Sequence, residues 1–218
     1  MDNDYQLYEG DCLEEMSKIE DKSVDLILCG LPYGITHYYW DVVIPFEPLW
    51  EHYKRILKDD GVILLFGAEP FASQLRLSNK EMYKYDLYWL KDRPKSDENL
   101  DKKPSSSVET ISVFGFGGFR DLPEYHRSEF LEMSQLHFPR TNKGEYKHPT
   151  PMPVELACKL IRGYSEEGDV VLDNCMGCGS CGLACYYTNR KFIGIERDHT
   201  YYKTAEKAIK EHYGRKRV

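Results

Sequence analysis

The sequence predicts an α/β domain in which one doubly wound, Rossmann-like sheet of seven strands is covered by helices on both faces. Short apolar runs alternate along the chain with stretches whose apolar residues recur every three or four positions, as they do in amphipathic helices. Several of the runs are almost continuously apolar, which is typical of parallel strands that are buried on both faces. One of these runs leads directly into a glycine-rich turn.

The individual elements follow from these runs. The most apolar ones are expected to form parallel strands at residues 23–29, 61–67, 170–175 and 191–196. Three further runs predict strands at residues 5–10, 83–90 and 109–116. Helical spacing predicts helices over residues 45–60 and 152–168, and another helix is expected to begin near Ser180.

A chain of 218 residues with 41% apolar residues can bury one sizeable core, so we expect a single domain over residues 1–218. Within it, residues 91–147 are rich in Pro, Gly, Ser and charge on either side of the strand at 109–116. These stretches are expected to form a small inserted lobe or loops, where recognition residues tend to lie.

Composition limits the classes of function. The sequence has no long uncharged apolar stretch and no secretion signal at its start, so a cytoplasmic protein without a membrane partner is expected. Seven cysteines in a reducing compartment argue against a disulfide framework and leave free thiols, metal ligands or reactive groups. The net charge of −7 gives no overall attraction to nucleic acid, so such a partner would have to bind a local patch.

The glycine-rich turn indicates a binding site for a nucleotide-type cofactor. Gly177, Gly179 and Gly182 permit a tight turn and a close approach of the backbone, and the helix from Ser180 points its amide groups at the ligand. Glu196 ends the next predicted strand. A carboxylate at that position is the acceptor that a ribose diol requires.

The same stretch contains a cysteine pattern with a different implication. Cys175, Cys178, Cys181 and Cys185 have the C-x2-C-x2-C-x3-C spacing of bacterial ferredoxins, and Cys29 could complete a ligand set for zinc or an iron–sulfur cluster. Alternatively, the cysteines replace Ser and Thr as near-isosteres or serve as small buried apolar residues. Because a metal would wrap the turn that must stay open for a cofactor, we expect no metal.

Four motifs in one order resemble the DNA amino-methyltransferases that modify adenine N6 or cytosine N4. "VLDNCMGCGSCGLACYYTNRKFIGIERD" is similar to their S-adenosylmethionine-binding segment, and "VDLILCGLPYG" to their catalytic segment. "KHPTPMPVELACKLI" resembles the segment that precedes the cofactor strand, and "LYEGDCLEEM" the stretch whose acidic residue faces the adenine of the cofactor. This circularly permuted order, with the catalytic segment first, is that of the β-type group.

The resemblance implies the S-adenosylmethionine-dependent methyltransferase fold and a double-stranded DNA partner whose target base is flipped out. It implies that the carbonyl of Pro32 accepts a hydrogen bond from the target amine and that the ring of Tyr33 stacks on the base. Adenine N6 is favoured over cytosine N4. It implies a set of cofactor-binding residues: Asp11, Asp173, Asn174, Cys175, Met176, Gly177, Gly179 and Glu196.

The sequence departs from the family where the catalytic Asp or Ser is expected, because Gly30 and Leu31 precede Pro32. Gly30 has no side chain to accept a proton, so impaired activity is expected. Asp41 is the nearest downstream carboxylate and is expected to be a loop or capping residue. The alternatives are a catalytically silent protein that binds cofactor or nucleic acid, and a thiol-ligated zinc or iron–sulfur protein on the same fold.

A candidate DNA surface combines cations with aromatic rings between residues 91 and 147, a mixture that suits a strand with a splayed base. About as many acidic as basic residues occur there, so a solvated lobe is an equal alternative. Because this lobe is small, we expect either a monomer with a short recognition sequence or a homodimer. The candidates are the segments "KDRPKS" and "DKKPSSS" together with Phe116, Phe119, Arg120, Tyr125, His126, Arg127, Phe138, Arg140, Lys143, Tyr146 and Lys147.

Overall fold

The computed structural model describes residues 4–92, 107–117, 134–141 and 149–215. The strands are β1 (Tyr5–Glu9), β2 (Val24–Cys29), β3 (Leu57–Gly67), β4 (Tyr83–Leu90), β5 (Val108–Gly115), β6 (Gln135–His137), β7 (Val170–Asp173) and β8 (Lys191–Glu196). The α-helices are α1 (Cys12–Glu15), α2 (Phe46–Ile56), α3 (Phe71–Ser78), α4 (Val154–Tyr164), α5 (Ser180–Tyr187) and α6 (His199–Arg215).

All of these strands join one mixed sheet in the order β1-β8-β7-β2-β3-β5-β4-β6. The pairs β1–β8, β8–β7, β7–β2 and β2–β3 are parallel. Strand β5 is antiparallel to β3 and β4, and β6 runs parallel to β4. The four most apolar segments are therefore confirmed as neighbouring parallel strands.

Helices cover both faces of the sheet, as predicted. Alternating residues of β2 show this division: Leu26 and Leu28 pack into one apolar core, and Ile27 and Cys29 into a second. The first core contains residues of α4, α5 and α6, and we call this side the α4 face. The second contains residues of α1, α2 and α3, and we call it the α2 face. The fold class is thus confirmed.

Two predicted helices are shorter than expected. The helix predicted over residues 45–60 ends at Ile56, because Leu57 pairs with Val24 and already belongs to β3. Lys58 then forms an ion pair of 2.7 Å with Asp25 of β2, so a polar segment without apolar alternation is still part of the sheet. The helix predicted over residues 152–168 is α4, which ends at Tyr164.

The sheet has eight strands among the described residues, not seven. The additional strand, β6, lies in the segment that was expected to form loops. It has only three residues, too few to show a periodic pattern. The indole Nε1 of Trp89 donates to the carbonyl oxygen of Phe138 at 2.8 Å and fastens this edge. In the described ranges no helix is both long and apolar enough to cross a membrane.

Candidate cofactor and catalytic site

The candidate site lies where the directions of the chain connections diverge. From β7 the chain crosses to β8 through α5 on the α4 face, whereas from β2 it crosses to β3 through α2 on the α2 face. The carboxyl ends of the adjacent strands β7 and β2 therefore flank a topological switch point, where open α/β sheets bind their ligands. Asp173 ends β7, and Gly30 follows the end of β2.

The turn after β7 depends on glycine. Gly177 has φ of +52° and Gly179 has φ of +89°, values that residues with a side chain rarely adopt. A Cβ on Gly179 would also lie 3.0 Å from the Cβ of Ala205 on α6. Gly179 precedes the first residue of α5, whose predicted start near Ser180 is confirmed. The turn thus directs the amino end of α5 towards the carboxyl edge of the sheet.

Glu196 organises this turn from the end of the neighbouring strand β8. Its Oε2 accepts a hydrogen bond from the backbone N–H of Gly177 at 2.9 Å, and its Oε1 accepts one from the N–H of Asp198 at 2.8 Å. Burial raises the pKa of Glu196, and these two bonds counteract part of the effect. Each carboxylate oxygen has a second acceptor site, so the side chain could still accept a pair of hydroxyl groups.

Asp173 is buried at the end of β7, where its Oδ1 accepts a hydrogen bond from the N–H of Cys175 at 3.1 Å. Burial raises the pKa of Asp173 to about 7, and the charge of Glu196 adds to the rise. A buried carboxyl group that titrates near neutrality in a turn of this kind suits a cationic ligand.

The residues that follow Asp173 are hydrogen-bonded to neighbouring elements. Asn174 is buried, and its Oδ1 accepts a hydrogen bond from the hydroxyl of Tyr53 at 2.6 Å. Met176 is buried, and its N–H donates to the carbonyl of Ile195 at 2.9 Å. Asn174 is thus anchored to α2 and Met176 to β8.

Asp11 lies next to the same strand tip. The N–H of Gly10 donates to the carbonyl of Glu196 at 3.0 Å, which brings the end of β1 beside β8. The exposed carboxylate of Asp11 caps α1 by accepting a hydrogen bond from the N–H of Leu13 at 2.9 Å. Two of the three acidic residues predicted for the cofactor are thus near the ends of adjacent strands, Asp11 just beyond β1 and Glu196 at the end of β8.

The four cysteines of the run do not converge on one point. Cys181 and Cys185 are buried in the core of the α4 face, whereas Cys175 packs against the core of the α2 face with Cys29. The split arises because α5 turns its buried side towards α4 and α6, while Cys175 precedes the turn. Among the residues that the structure describes, no group of three or more His, Cys, Asp or Glu side chains is arranged to hold a metal ion.

The segment after β2 carries the two predicted catalytic residues. Gly30 is exposed, and no atom lies within 4 Å of the position that a Cβ would occupy. Leu31 is buried, while Pro32 and Tyr33 are half-buried. The ring of Tyr33 stacks on Phe71 with centroids 5.0 Å apart and planes inclined by 24°.

The hydroxyl of Tyr33 donates to Oε1 of Glu109 on β5 at 2.5 Å. Oε2 of Glu109 forms an ion pair with Lys91, which follows β4. Burial raises the pKa of Tyr33, and the charge of Glu109 raises it further, so the phenol stays protonated. Sequence reasoning missed Glu109, although an acidic residue at the start of an otherwise apolar strand was a visible signal.

Asp41 is a loop residue, as expected. Its carboxylate accepts hydrogen bonds from the N–H groups of Gly34, Ile35 and Thr36 at 2.9, 3.0 and 2.7 Å, and from the hydroxyl of Thr36 at 2.6 Å. Burial alone would raise the pKa of Asp41, but these bonds outweigh it and lower the pKa. Asp41 therefore closes the loop that follows the catalytic segment.

The loop closed by Asp41 also contacts the tip of β8. The hydroxyl of Tyr39 donates to the carboxylate of Asp198, and the guanidinium of Arg197 donates to the carbonyl oxygen of Trp40 at 3.2 Å. The edge of Trp40 lies against Tyr201, with ring centroids 6.4 Å apart. The loop after β2 and the residues that follow β8 are thus joined by direct contacts, which no sequence pattern had indicated.

Most of the predicted DNA surface lies outside the described residues, namely Phe119, Arg120, Tyr125, His126, Arg127, Lys143, Tyr146 and Lys147. Phe116, Phe138 and Arg140 are described, and the N–H of Arg140 donates to Asp92 at 2.9 Å. The proposed boundaries of the lobe, residues 91–147, stay a prediction.

Comparison with known proteins agrees with this geometry. Residues 24–207 match the family N6_N4_Mtase, described as DNA methylase. Type II methyltransferase M.HpaI of Haemophilus parainfluenzae is 25% identical over 235 residues, which cover 94% of this chain and 74% of that protein. Type II methyltransferase M2.MboI of Moraxella bovis is 23% identical over 246 residues, covering 96% and 89%.

Solved structures share the fold. The crystal structure of the M1.HpyAVI–SAM complex has a TM-score of 0.69 and 23% identity, and the match covers 94% of this chain and 99% of that one. PvuII DNA methyltransferase, described as cytosine-N4-specific, has a TM-score of 0.77 and 18% identity, covering 98% and 92%. Because the family match covers most of this chain, the chain belongs to the DNA methylases of the N6/N4 type, which are S-adenosylmethionine-dependent enzymes.

Proposed function

We propose that this protein transfers a methyl group from S-adenosylmethionine to the exocyclic amine of a DNA base, and that adenine N6 is its target in preference to cytosine N4. The observation that supports this most strongly is the meeting of two segments at the switch point. The Leu31–Pro32–Tyr33 segment follows β2, the glycine turn follows the adjacent strand β7, and the loop closed by Asp41 contacts Arg197 at the tip of β8. Acting on DNA, the protein would work in the cytoplasm, as a monomer or homodimer.

In the proposed arrangement, the ribose hydroxyls of the cofactor are accepted by Glu196, and the adenine ring lies near Asp11. The methionine end lies against Asp173 and the turn at Gly177 and Gly179, with Asn174, Cys175 and Met176 beneath it. The buried carboxyl group of Asp173 would balance the positive charge of this end. The donor–acceptor chemistry of these residues fits the cofactor at each of its polar parts.

S-adenosylmethionine supplies an electrophilic methyl group on a sulfonium centre. The chain's own task is to present a poor nucleophile in line with that group, because the lone pair of the exocyclic amine is delocalised into the ring. The target base is flipped out of double-stranded DNA, the ring of Tyr33 stacks on it, and the carbonyl of Pro32 accepts a hydrogen bond from its amine. Gly30 leaves the amine without the second acceptor and so slows the reaction.

A second candidate function is a catalytically silent protein that binds the cofactor or nucleic acid. The absence of a side chain at Gly30 favours it, because removing one preorganised partner from such a site lowers rates by about a hundredfold to a thousandfold. The left-handed glycines of the turn and the carboxylate of Glu196 support cofactor binding, although Cys178 and Cys181 stand where the family usually has Ser and Thr. Both functions predict cofactor binding, but only the first predicts methyl transfer.

The test is to incubate the purified protein with unmethylated plasmid DNA and S-adenosylmethionine carrying a deuterated methyl group. The DNA is then digested to nucleosides and analysed by mass spectrometry, which requires no knowledge of the recognition sequence. We expect deuterated N6-methyladenine, and none with the Tyr33→Ala variant. Labelled N4-methylcytosine would correct the choice of base. Cofactor binding in calorimetry with no labelled nucleoside would establish the silent protein instead.

A further inference from the structure

A short chain of polar contacts leads from the catalytic tyrosine to the edge of the sheet. The hydroxyl of Tyr33 donates to Oε1 of Glu109 at 2.5 Å, and Oε2 of the same carboxylate pairs with the ammonium of Lys91. That ammonium lies 4.3 Å from the ring centroid of Trp89. Glu109 is thus held on one side by a cation and offers its other oxygen to the tyrosine.

Glu109 and Lys91 are held by the backbone pairing of β4 with β5. Glu109 is directly opposite Trp89 in the antiparallel pairing of β5 with β4, and the N–H of Lys91 donates to the carbonyl of Ser107 at 2.8 Å. The side chains of Lys91 and Glu109 are only 12% and 16% exposed. A nearly buried ion pair is expensive to desolvate and often contributes little net stability, so its presence here calls for a further role.

We propose that Glu109 is a positioning residue that fixes the orientation of the Tyr33 ring for stacking on the target base, with Lys91 holding the carboxylate in place. Tyr33 has two rotatable side-chain bonds, and two contacts define them. Phe71 supports one face of the ring, and Glu109 holds the hydroxyl at the far end. With both contacts in place, the ring would offer one fixed plane to a stacking base. The catalytic part of this proposal rests on the proposed methyl transfer.

The effect on catalysis should be large and selective. Misplacing a reacting group by about 1 Å can lower a rate on the order of a hundredfold. We therefore expect Glu109→Ala to lower turnover by about tenfold to a hundredfold while the dissociation constant of the cofactor stays unchanged. Tyr33→Phe, which keeps the ring and loses the hydroxyl, should have the same effect. The double variant should be no worse than either one, because both changes break the same contact.

Fluorine NMR of protein labelled with 3-fluorotyrosine tests the positioning directly and needs neither DNA nor turnover. The resonance that is missing from Tyr33→Phe identifies Tyr33 among the 17 tyrosines. We expect this resonance to shift or broaden in Glu109→Ala and to return towards its original position in Glu109→Gln, which keeps an acceptor oxygen. An unchanged Tyr33 resonance in Glu109→Ala would overturn the proposal.

Asp86 provides a matched control. Its side chain is 12% exposed on β4, where it accepts a hydrogen bond from Ser112 at 2.7 Å and pairs with Arg76 at 3.3 Å. Asp86→Ala removes a comparable carboxylate and should leave the Tyr33 resonance in place. The same change in both variants would mean that Glu109 has only a general structural role and would refute the proposal.

Turnover is measured in the wild-type background if it methylates DNA, and otherwise in Gly30→Asp. Additive losses in the double variant would contradict the shared contact. If neither background methylates DNA, the proposed function fails, and the Tyr33 resonance alone decides whether Glu109 positions the ring.

Discussion

Glu196 has both a structural and a proposed ligand-binding role, and a single substitution separates them. Glu196→Ala removes the acceptor of the ribose hydroxyls, and hydrogen bonds to a charged group contribute about 1.5–3 kcal/mol. We expect cofactor affinity to fall about tenfold or more in isothermal calorimetry.

Glu206→Ala is the control for this change, because that residue pairs with Lys203 and Lys210 on the surface of α6. It should bind cofactor as the wild type does. Thermal unfolding verifies that Glu196→Ala is folded, since the substitution also removes the acceptor of Gly177 and Asp198. Equal affinity in the folded Glu196→Ala variant would refute the ribose assignment.

Asp173 predicts a pH dependence of both stability and binding. Its pKa is about 7 in the folded protein and 3.8 as the ordinary value, so the folded state favours the protonated form. The free energy of unfolding should therefore fall as the pH rises from about 4 to about 7, at about 1.4 kcal/mol per pH unit at most. Denaturant titrations should show that Asp173→Asn removes this slope.

Cofactor binding should show the opposite dependence on pH. The cationic methionine end favours the ionised form of Asp173, so affinity should be higher at pH 8 than at pH 6, and binding near pH 7 should release a proton. Calorimetry in buffers of different ionisation enthalpy measures that proton. Identical affinity at the two pH values, or an unchanged dependence in Asp173→Asn, would exclude this residue from the methionine end.

At the scale of elements, the loop between β2 and α2 depends on one carboxylate. Asp41 accepts four hydrogen bonds, three of them from consecutive N–H groups. Asp41→Asn replaces one acceptor oxygen with an N–H2 donor that faces other donors, and we expect a loss of about 1–3 kcal/mol in the free energy of unfolding. Chemical denaturation measures it.

The pH profile gives this loop a second signature. Because the pKa of Asp41 is lowered in the folded protein, its contribution is present above the ordinary pKa of 3.8 and is lost as the pH falls through the folded value. The difference in stability between wild type and Asp41→Asn should therefore shrink below about pH 4. A variant as stable as the wild type at neutral pH would show that the loop does not need this residue.

We interpret the cysteines of the turn and of helix α5 as packing residues. Cys181 is fully buried on the α4 face, and Cys178 lies 3.8 Å from the hydroxyl of Ser180. Burial raises the pKa of both thiols, which disfavours the thiolates that metals bind. The double variant Cys178→Ser, Cys181→Thr, which restores the residue types usual in the family, should bind cofactor with unchanged affinity.

Elemental analysis of freshly reduced protein complements this measurement of cofactor affinity. We expect no stoichiometric zinc or iron in the wild type. One zinc per chain that the double variant loses would contradict the packing interpretation, as would an absorbance near 400 nm that disappears with the substitutions.

At the scale of the whole molecule, the sequence was sufficient for the parallel half of the sheet. Continuous apolar runs such as that of β2 predict strands because both faces are covered, and Gly179 and Glu196 could be placed because consecutive parallel strands end at one edge. Strand β6 could not be predicted, because three residues carry no period.

The contacts that complete the site were also beyond the sequence. The pairing of Tyr33 with Glu109 joins residues that are 76 positions apart and depends on the register of β5. The contact of Tyr39 with Asp198 joins residues 159 positions apart. Such pairs follow from the tertiary arrangement and not from any local pattern.

Methyl transfer requires the cofactor turn and the segment after β2 to form one site. Gly30 offers the most direct test, because nothing lies within 4 Å of its missing Cβ and a side chain can be added there. Gly30→Asp adds the acceptor that the family's catalytic segment usually carries at this position, and Gly30→Ala is the matched control that adds a side chain without an acceptor.

The decisive measurement is the rate of deuterated methyl transfer to plasmid DNA by the wild type, Gly30→Ala and Gly30→Asp, at a saturating concentration of cofactor. We expect Gly30→Asp to be about a hundredfold faster than the wild type and Gly30→Ala to be no faster. A Gly30→Asp variant that binds the cofactor normally and still transfers no methyl group to DNA would contradict this expectation.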